Sequence, residues 1–469
     1  MTTLRELLRD TAGFAADFLD GLDTRPVPVN AGVAELRGRL WYELTDEPTE
    51  PSQVIGELVR DADPGLLGSS GGRFFGWVIG GSVPAALAAD WLTSAWDQNA
   101  ALYSCAPAEA VVEEVCGVWL KDLLGLPEQA SFALVTGSQM GHVTALAAAR
   151  NKLLAERDWD VERRGLAGAP ALRIITGGQQ HGSIDRAVRL LGVGTEAITT
   201  VAASADGRLD VNVLAGYLKA VDGPTIVCLQ AGEINTGSFD DFDEACRIAH
   251  DYGAWVHVDG AYGLWAAASR RHRHLVAGIE NADSWVTDAH KWLNVPFDCG
   301  LVFTAHPAHH RAALSITASY LIHAADPEAD TPPRDQIDYN PEWSRRGRGF
   351  AVYAAIRSLG RSGIAKIIDD CCTHARRLTA AIGTLPGVEI VHEPQLNQGL
   401  VRFIDRDGAD RTDRVVDRVQ HNGTAWFGAT TFNGQRAMRI SVVSHRTTEL
   451  DVDRTIEAVA TALTEIDRS

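Results

Sequence analysis

Between about residue 86 and Ala325, short runs of apolar residues alternate with stretches in which apolar residues return every three or four positions. The runs are Ser131 to Thr136, Ala171 to Thr176, Ala197 to Val201, Thr225 to Gln230, Ala254 to Asp259, Asp283 to Asp288 and Gly300 to Thr304. Runs apolar on both faces, separated by amphipathic helical patterns, predict an α/β fold with a large, mostly parallel seven-stranded sheet wrapped by helices. In such a sheet the ligand lies outside the carboxyl ends of the strands. The polar residues that end the runs are therefore the first candidates for chemistry.

The pattern changes on either side. Residues 1–85 read as helical segments broken by Pro and Gly, and they end in the glycine-rich loop Gly68 to Pro84, which carries Phe74, Phe75 and Trp77. The stretch Asp326 to Glu342 is acidic and holds four prolines, which predicts a mobile linker or lid over 326–345. From 346 to 469, helices over Ala351 to Leu359 and Ile364 to Ile382 mix with short strands near Gly399 to Ile404 and Ala437 to Val443, predicting a smaller α+β domain. The large domain spans 86–325.

Composition narrows the function. A formal net charge of −18 and no basic tract argue against a nucleic-acid partner. The N-terminus has no apolar signal core, and no stretch is apolar enough to span a bilayer, so the expectation is a cytoplasmic protein with no membrane partner. Seven cysteines without paired metal-type spacing read as reduced thiols, with Cys371 and Cys372 as helix residues. His272, His274, His309 and His310 lack carboxylate or thiol partners at ligand spacing and read as solvated loop residues, so no metal is expected.

The chain carries 43 basic residues, of which only Lys121, Lys152, Lys219, Lys291 and Lys366 are lysines. Where a plain cation suffices this sequence uses Arg, which cannot be deprotonated, whereas a desolvated lysine can act as a nucleophilic amine toward an aldehyde. Lys291 lies in Asp-Ala-His-Lys at the end of an apolar run. Asp259 ends another run, where a carboxylate either caps a helix or stays ionised against a cationic partner. Gly137, Ser138 and Gln139 follow a third run and open a helix over Met140 to Leu154, a setting for a helix cap or a phosphate cradle. His181 follows a fourth, in a glycine-flanked loop from which an imidazole can stack on a flat ring or move a proton. Cradle, imidazole, carboxylate and amine, in that order, are what pyridoxal 5′-phosphate requires.

On these residues the chain resembles the group II pyridoxal-phosphate decarboxylases, the family of aromatic-amino-acid, histidine and glutamate decarboxylases. His257-Val-Asp259-Gly-Ala261-Tyr-Gly263 looks like the family's His-x-Asp-x-Ala-x-Gly strand, and His290-Lys291-Trp292-Leu293 with Phe297-Asp298-Cys299 looks like its lysine signature. Cys105-Ala-Pro107 through Glu113 and Gly237-Ser238-Phe239-Asp240 resemble further family blocks. Three departures stand out. Gln139-Met140-Gly141 stands where the family often has Ser-Glu-Ala. Asp288 replaces the usual Asn before the lysine, and Glu233-Ile234-Asn235 replaces a Thr-Thr pair.

The resemblance implies the aspartate-aminotransferase type fold (fold type I) and a homodimer with shared active sites, residues 1–85 packing on the partner. It also implies that Lys291 forms the imine with the cofactor, Asp259 keeps the pyridine nitrogen protonated, and Ala261 and His181 sandwich the ring. Gly137, Ser138, Gln139 and His290 then hold the phosphate. Tyr339, eight residues before Gly347, takes the place of a catalytic-loop tyrosine that protonates the quinonoid carbon after CO2 leaves; the alternative is a loop anchor. Arg439 takes the place of an arginine that meets the substrate carboxylate, and Trp77, Ile79, Asn99 and Ala101 take places that line the side-chain pocket. The expected reaction is decarboxylation of an L-amino acid to amine and CO2. A transaminase, aldol-type lyase or oxidative deaminating enzyme on the same scaffold, or an idle cofactor-binding homologue, are the alternatives.

Overall fold

The structure, a computed structural model, describes residues 2–29, 31–316 and 333–468. It opens with three helices, α1 (Leu4–Gly21), α2 (Val33–Leu40) and α3 (Pro51–Ala62), none of which buries an apolar side chain fully within the chain. Thr3 and Glu6 form a reciprocal capping box at the start of α1. The loop through Gly68 to Val83 contains no strand, as its glycines predicted, and leads into α4 (Pro84–Trp96) and α5 (Pro107–Leu124).

The large domain is built on β1 (Ser131–Val135), β2 (Arg173–Gly177), β3 (Ile198–Val201), β4 (Thr225–Gln230), β5 (Trp255–Asp259), β6 (Ser284–Asp288) and β7 (Gly300–Thr304), one strand for each apolar run. They form one sheet in the order β1-β7-β6-β5-β4-β2-β3. β7 runs antiparallel to both neighbours, while the other pairings are parallel. Every residue of β5, β6 and β7 is buried, which is why these strands read as unbroken apolar runs rather than as an alternation. Crossovers are made by α6 (Ser138–Ala155), α7 (Val161–Arg164), α8 (Gly182–Leu190), α9 (Val211–Ala220) and α10 (Phe242–Asp251), and α11 (Pro307–Leu314) follows the last strand. α6 lies across β5, β6 and β7. It can approach closely because Gly141 lacks a Cβ, which would stand 2.8 Å from Val286 Cγ1.

The small domain begins with α12 (Gly349–Gly383), broken at Gly360, whose φ of 60° is a left-handed value that glycine adopts without strain. It continues with β8 (Val388–His392), β9 (Gln398–Phe403), α13 (Thr412–His421), β10 (Gly428–Phe432), β11 (Gln435–Ser441) and α14 (Glu449–Arg468). The strands form an antiparallel sheet in the order β10-β11-β9-β8. Cys371 and Cys372 are buried helix residues, as expected.

Two expectations need correction. The lid expected over 326–345 is, for residues 333–345, a packed segment; residues 326–332 lie outside the described residues. Gln336, Ile337, Asp338, Asn340 and Arg345 are buried, and the connector between α4 and α5 is zipped to them by Ile337 N–H to Ala101 O and Ala100 N–H to Arg345 O. The histidines read as solvated are mostly not. His310 is fully buried between Ser131 Oγ and the Tyr339 carbonyl, His272 is buried near Asp369, and His309 bonds Asn151. Only His274 of the four is exposed. Among the described residues no group of three or more His, Cys, Asp and Glu side chains could hold a metal ion.

Candidate active site

The carboxyl ends of β1, β2, β4, β5 and β6 converge on a cavity of about 550 Å³ walled by Gly137, Ser138, Gln139, His181, Asp259, Ala261, Asp288, His290 and Lys291. Every residue that the sequence assigned to cofactor binding is therefore in one place. Gly182, Ser183, Arg186, Gln230, Gly232, Ile234 and Tyr262 complete the wall. A larger cleft between α5 and the second half of α12 is lined by charges of both signs and lies apart from these groups.

Successive residues of a strand face opposite ways, so Trp255, His257 and Asp259 share one face of β5, and that face meets α6. Asp259 is nearly enclosed. Its Oδ1 accepts the Ala261 N–H at 3.1 Å, and its Oδ2 lies 3.5 Å from His142 Nε2. Burial alone would raise its pKa, but His142, then His181 and Lys291, outweigh burial and hold the carboxyl well below the usual range. Asp259 is an anion, in a place where the alternative reading of a helix cap finds no helix start: a 3-10 turn, Gly263–Ala268, follows instead.

Asp288 ends β6 on the same side. Its Oδ2 lies 2.9 Å from Lys291 Nζ, and its Oδ1 accepts the Ser138 N–H at 2.6 Å. The carboxylate thus takes the first N–H of α6 for itself. Ser138 Oγ, by contrast, is buried without a partner among the described residues, and Gln139 N–H has no intrahelical carbonyl to meet at this helix start. A Cβ at Gly137 would stand 3.3 Å from the His290 ring, so glycine keeps the cradle open. His290 accepts the Cys299 N–H at Nδ1 (3.1 Å), which leaves Nε2–H as its donor, 3.7 Å from Asp288. An orphaned hydroxyl, a free backbone donor and a ring N–H around a small hollow fit a phosphate group; an amine and a buried anion deeper in fit an aldehyde-bearing pyridine.

His181 is not a simple loop residue. It caps α8, its Nδ1 accepting from the Ser183 N–H and facing Ser183 Oγ at 2.7 Å. The ring consequently presents Nε2–H, and burial lowers its pKa, which favours the neutral form. The Gln139 side chain does not face the cradle: its Nε2 donates to the Ser183 carbonyl.

The substrate residues fare differently. Trp77, Ile79, Asn99, Ala101, Arg439 and Tyr339 do not wall the cavity of their own chain. Trp77 is 55% exposed and stacks on Trp426, which stacks in turn on Phe74. Asn99 bonds the 344–345 backbone and side chains, and Ala101 is fully buried beside Ile337. Arg439 is buried behind the wall and donates to the Ile234 carbonyl at 3.0 Å. The Tyr339 ring packs edge-on against His310 and under the Arg334 guanidinium. Glu233 is turned inward, its carboxylate accepting from the N–H groups of Asn235 and Thr236.

His142 and Ser284 were missed by sequence reasoning, because a histidine inside an apolar helix and a serine opening a strand look like ordinary core. Arg186 was missed as well, although its place one turn into the helix capped by His181 was a usable signal.

Residues 36–404 match a family model, the pyridoxal-dependent decarboxylase conserved domain. Among curated proteins the chain is similar to an aromatic-L-amino-acid decarboxylase of Bacillus atrophaeus, 25% identical over 459 residues that cover 95% of this chain and 92% of the relative. It is also similar to an L-2,4-diaminobutyrate decarboxylase of Rhizobium meliloti (strain 1021), 28% identical over 394 residues, 82% of this chain and 76% of the relative. The fold matches that of a crystal structure of Oryza sativa TDC with PLP and tryptamine, with a TM-score of 0.92 at 23% identity over 99% of this chain and 98% of that one.

Proposed function

Because this chain belongs to the pyridoxal-dependent decarboxylase family and is a pyridoxal-phosphate-dependent carboxy-lyase, we propose that it converts an L-amino acid with a flat, apolar side chain to the corresponding amine and CO2. The observation that carries the reading is the convergence of Lys291, Asp259, His181 and the unpartnered Ser138 Oγ on one cavity.

Bound there, pyridoxal phosphate supplies the electron sink for a bond broken at the substrate α-carbon. The residues of the chain do the rest. Ser138 Oγ, the Gln139 N–H and His290 Nε2 hold the phosphate, and Lys291 Nζ is the amine that meets the aldehyde. Asp259 keeps a proton on the pyridine nitrogen, because a buried anion with matched donors favours a cation opposite it. His181 and Ala261, both on the cavity wall, would hold the ring between them. Arg186, exposed on the wall, is placed to attract a carboxylate.

The side-chain preference rests on Trp77, whose exposed ring is held by its stack on Trp426. Trp77 would serve this role, and Tyr339 that of a proton donor after CO2 leaves, by reaching the site of a second copy. The exposed Leu4, Leu8, Val33 and Trp41 of the N-terminal segment support such a homodimer. A second reading, oxidative aldehyde formation in which O2 and water are consumed and CO2, ammonia and H2O2 are released, is favoured by one observation: Tyr339 is packed away from its own cavity.

Incubation of the cofactor-loaded protein with aromatic, acidic and small L-amino acids, reading CO2, amine and aldehyde together, tests the proposal. Equimolar CO2 and amine from an aromatic substrate, lost in Lys291→Ala, is the expected result. Aldehyde in place of amine selects the second reading, and turnover confined to acidic or diamino acids rejects the side-chain assignment.

A further inference from the structure

Behind Asp259 the side chains form an unbroken file with one end at the cavity and the other deep in the sheet. Trp255 Nε1 lies 2.9 Å from Ser284 Oγ, Ser284 Oγ lies 2.9 Å from His257 Nδ1, and His257 Nε2 lies 2.9 Å from His142 Nδ1. His142 Nε2 then faces Asp259 Oδ2 at 3.5 Å, within ion-pair distance, and among the described residues this buried nitrogen has no hydrogen-bond partner of its own. His142, His257 and Ser284 are fully buried, and Trp255 is 1% exposed. No water is needed to complete the file. It is assembled by register: Trp255, His257 and Asp259 share one face of β5, Ser284 is the direct partner of His257 on β6, and the close approach of α6 at Gly141 brings in His142.

The direction of every bond in the file follows from its far end. An indole nitrogen can only donate, so Ser284 Oγ accepts from Trp255, and among the described residues its own hydrogen meets no acceptor but His257 Nδ1. His257 is thereby fixed as the Nε2–H tautomer and donates to His142 Nδ1. That leaves the proton of His142 on Nε2, aimed at Asp259. Burial pushes the His257 pKa down to about 3, in keeping with a neutral ring. A file of neutral groups with a donor at its cavity end is what orients a carboxylate without cancelling its charge.

We propose that His142 is a positioning residue that holds the Asp259 carboxylate in its orientation toward the ligand ring nitrogen, and that Ser284, through His257, selects the tautomer that lets it do so. The role at the ring nitrogen rests on the cofactor assignment above; the tautomers do not.

The test therefore has two parts. In cofactor-free protein labelled with ¹⁵N-histidine, the signals that vanish in His142→Gln and in His257→Gln should both report Nε2–H tautomers. A Nδ1–H or doubly protonated state at His142 would overturn the proposal whether or not any cofactor binds. In protein loaded with ring-¹⁵N pyridoxal phosphate, His142→Leu should weaken cofactor retention by about tenfold and move the pyridine ¹⁵N signal toward the unprotonated range, the size usual for losing a group that orients a ligand-holding side chain. His142→Gln, whose amide N–H takes the place of Nε2–H, should recover most of both. Retention and ¹⁵N shift left unchanged in His142→Leu, or lost equally in the Leu and Gln variants, would reduce His142 to a packing residue. Wild-type protein that holds no pyridoxal phosphate would instead sink the cofactor assignment, leaving the tautomer result to stand or fall by itself.

Discussion

The file behind Asp259 and the cluster around Arg345 are both sealed from water, yet they are built by opposite rules. In the first, one anion is followed by a file of rings and a hydroxyl, from His142 through His257 and Ser284 to Trp255, joined by directional hydrogen bonds. In the second, Arg345 Nη2 contacts Glu113 Oε2 at 2.7 Å with both side chains almost wholly buried, and Glu109 lies beside them accepting the Gly349 N–H. Glu109 Oε2, Glu113 Oε1, Arg345 Nε and Arg345 Nη1 have no hydrogen-bond partner among the described residues. Two carboxyls and one guanidinium leave an excess negative charge unless one carboxyl keeps its proton. The first arrangement aims a charge at a ligand; the second ties α5 to the segment that leads into α12, and does so by charge balance rather than by direction.

The largest expected effect comes from removing the anion at the end of the ordered file. Asp259→Ala should lower kcat/KM by on the order of 10⁴-fold, roughly 5.5 kcal/mol of barrier, while the melting temperature of cofactor-free protein falls little, because with the proposed tautomers the histidines behind it leave no unpaired charge. A large loss of melting temperature in this variant would mean that the file holds the fold rather than the ligand.

At the other cluster the order of effects reverses. Arg345→Met should leave two carboxyls facing each other without a cation and destabilise the protein by about 3–5 kcal/mol, the usual cost of breaking a buried pair from one side, read by denaturant unfolding. Cofactor retention per folded molecule should stay near that of the parent. If activity falls and stability does not, the two clusters are not separate devices.

These contrasts bear on what the sequence could show. The central strands of the large sheet were legible because both faces are buried, so Trp255 to Asp259 and Gly300 to Thr304 are uninterrupted apolar runs ended by polar residues, and the half-exposed edge strand β3 was legible from its β-branched residues alone. β8 and β10 were not, since Val388 to His392 and Gly428 to Phe432 are half-exposed and carry Glu, His and Thr on the open side. The cavity was legible at Lys291, Asp259, His181, Gly137 and His290, which end strands or open helices. Nothing local marks His142 or Arg345 as different from other helix and loop residues, because their partners lie over a hundred positions away, as with His257 and Glu113. The substrate residues were placed by resemblance alone, and within one chain that resemblance brings none of them to the cavity.

Proton balance gives a smaller effect, and it separates the clusters by pH. Burial, followed by the Glu113 charge, pushes the Glu109 pKa up to about 8, above the 4.5 of an ordinary glutamate. The folded state then keeps a proton that the unfolded chain releases. The contribution of Glu109 to stability is complete below pH 4.5 and is lost as pH rises toward 8, by at most roughly 1.4 kcal/mol per pH unit. In Glu109→Gln, whose amide imitates the protonated acid, the slope of unfolding free energy against pH over that window should flatten. An unchanged slope would place the shared proton elsewhere.

The smallest effect tests a carboxylate that belongs half to each kind. Asp288 accepts a backbone N–H from Ser138, as a directional group does, and faces Lys291 Nζ at 2.9 Å, as a counter-ion does. It also stands where the cradle would meet a phosphate dianion. In Asp288→Asn the side-chain carbonyl can still accept from Ser138, while the repulsion toward a phosphate disappears together with the attraction to Lys291. Repulsion between two anions a few ångströms apart at a partly wet site is worth about 1 kcal/mol. Cofactor retention should therefore improve about fivefold at low salt, and the gain should shrink as ionic strength rises, since screening weakens the same repulsion in the parent. Weaker retention in Asp288→Asn would show that pairing with Lys291 outweighs repulsion, which would move Asp288 from the directional kind of carboxylate to the charge-balancing kind represented by Glu113.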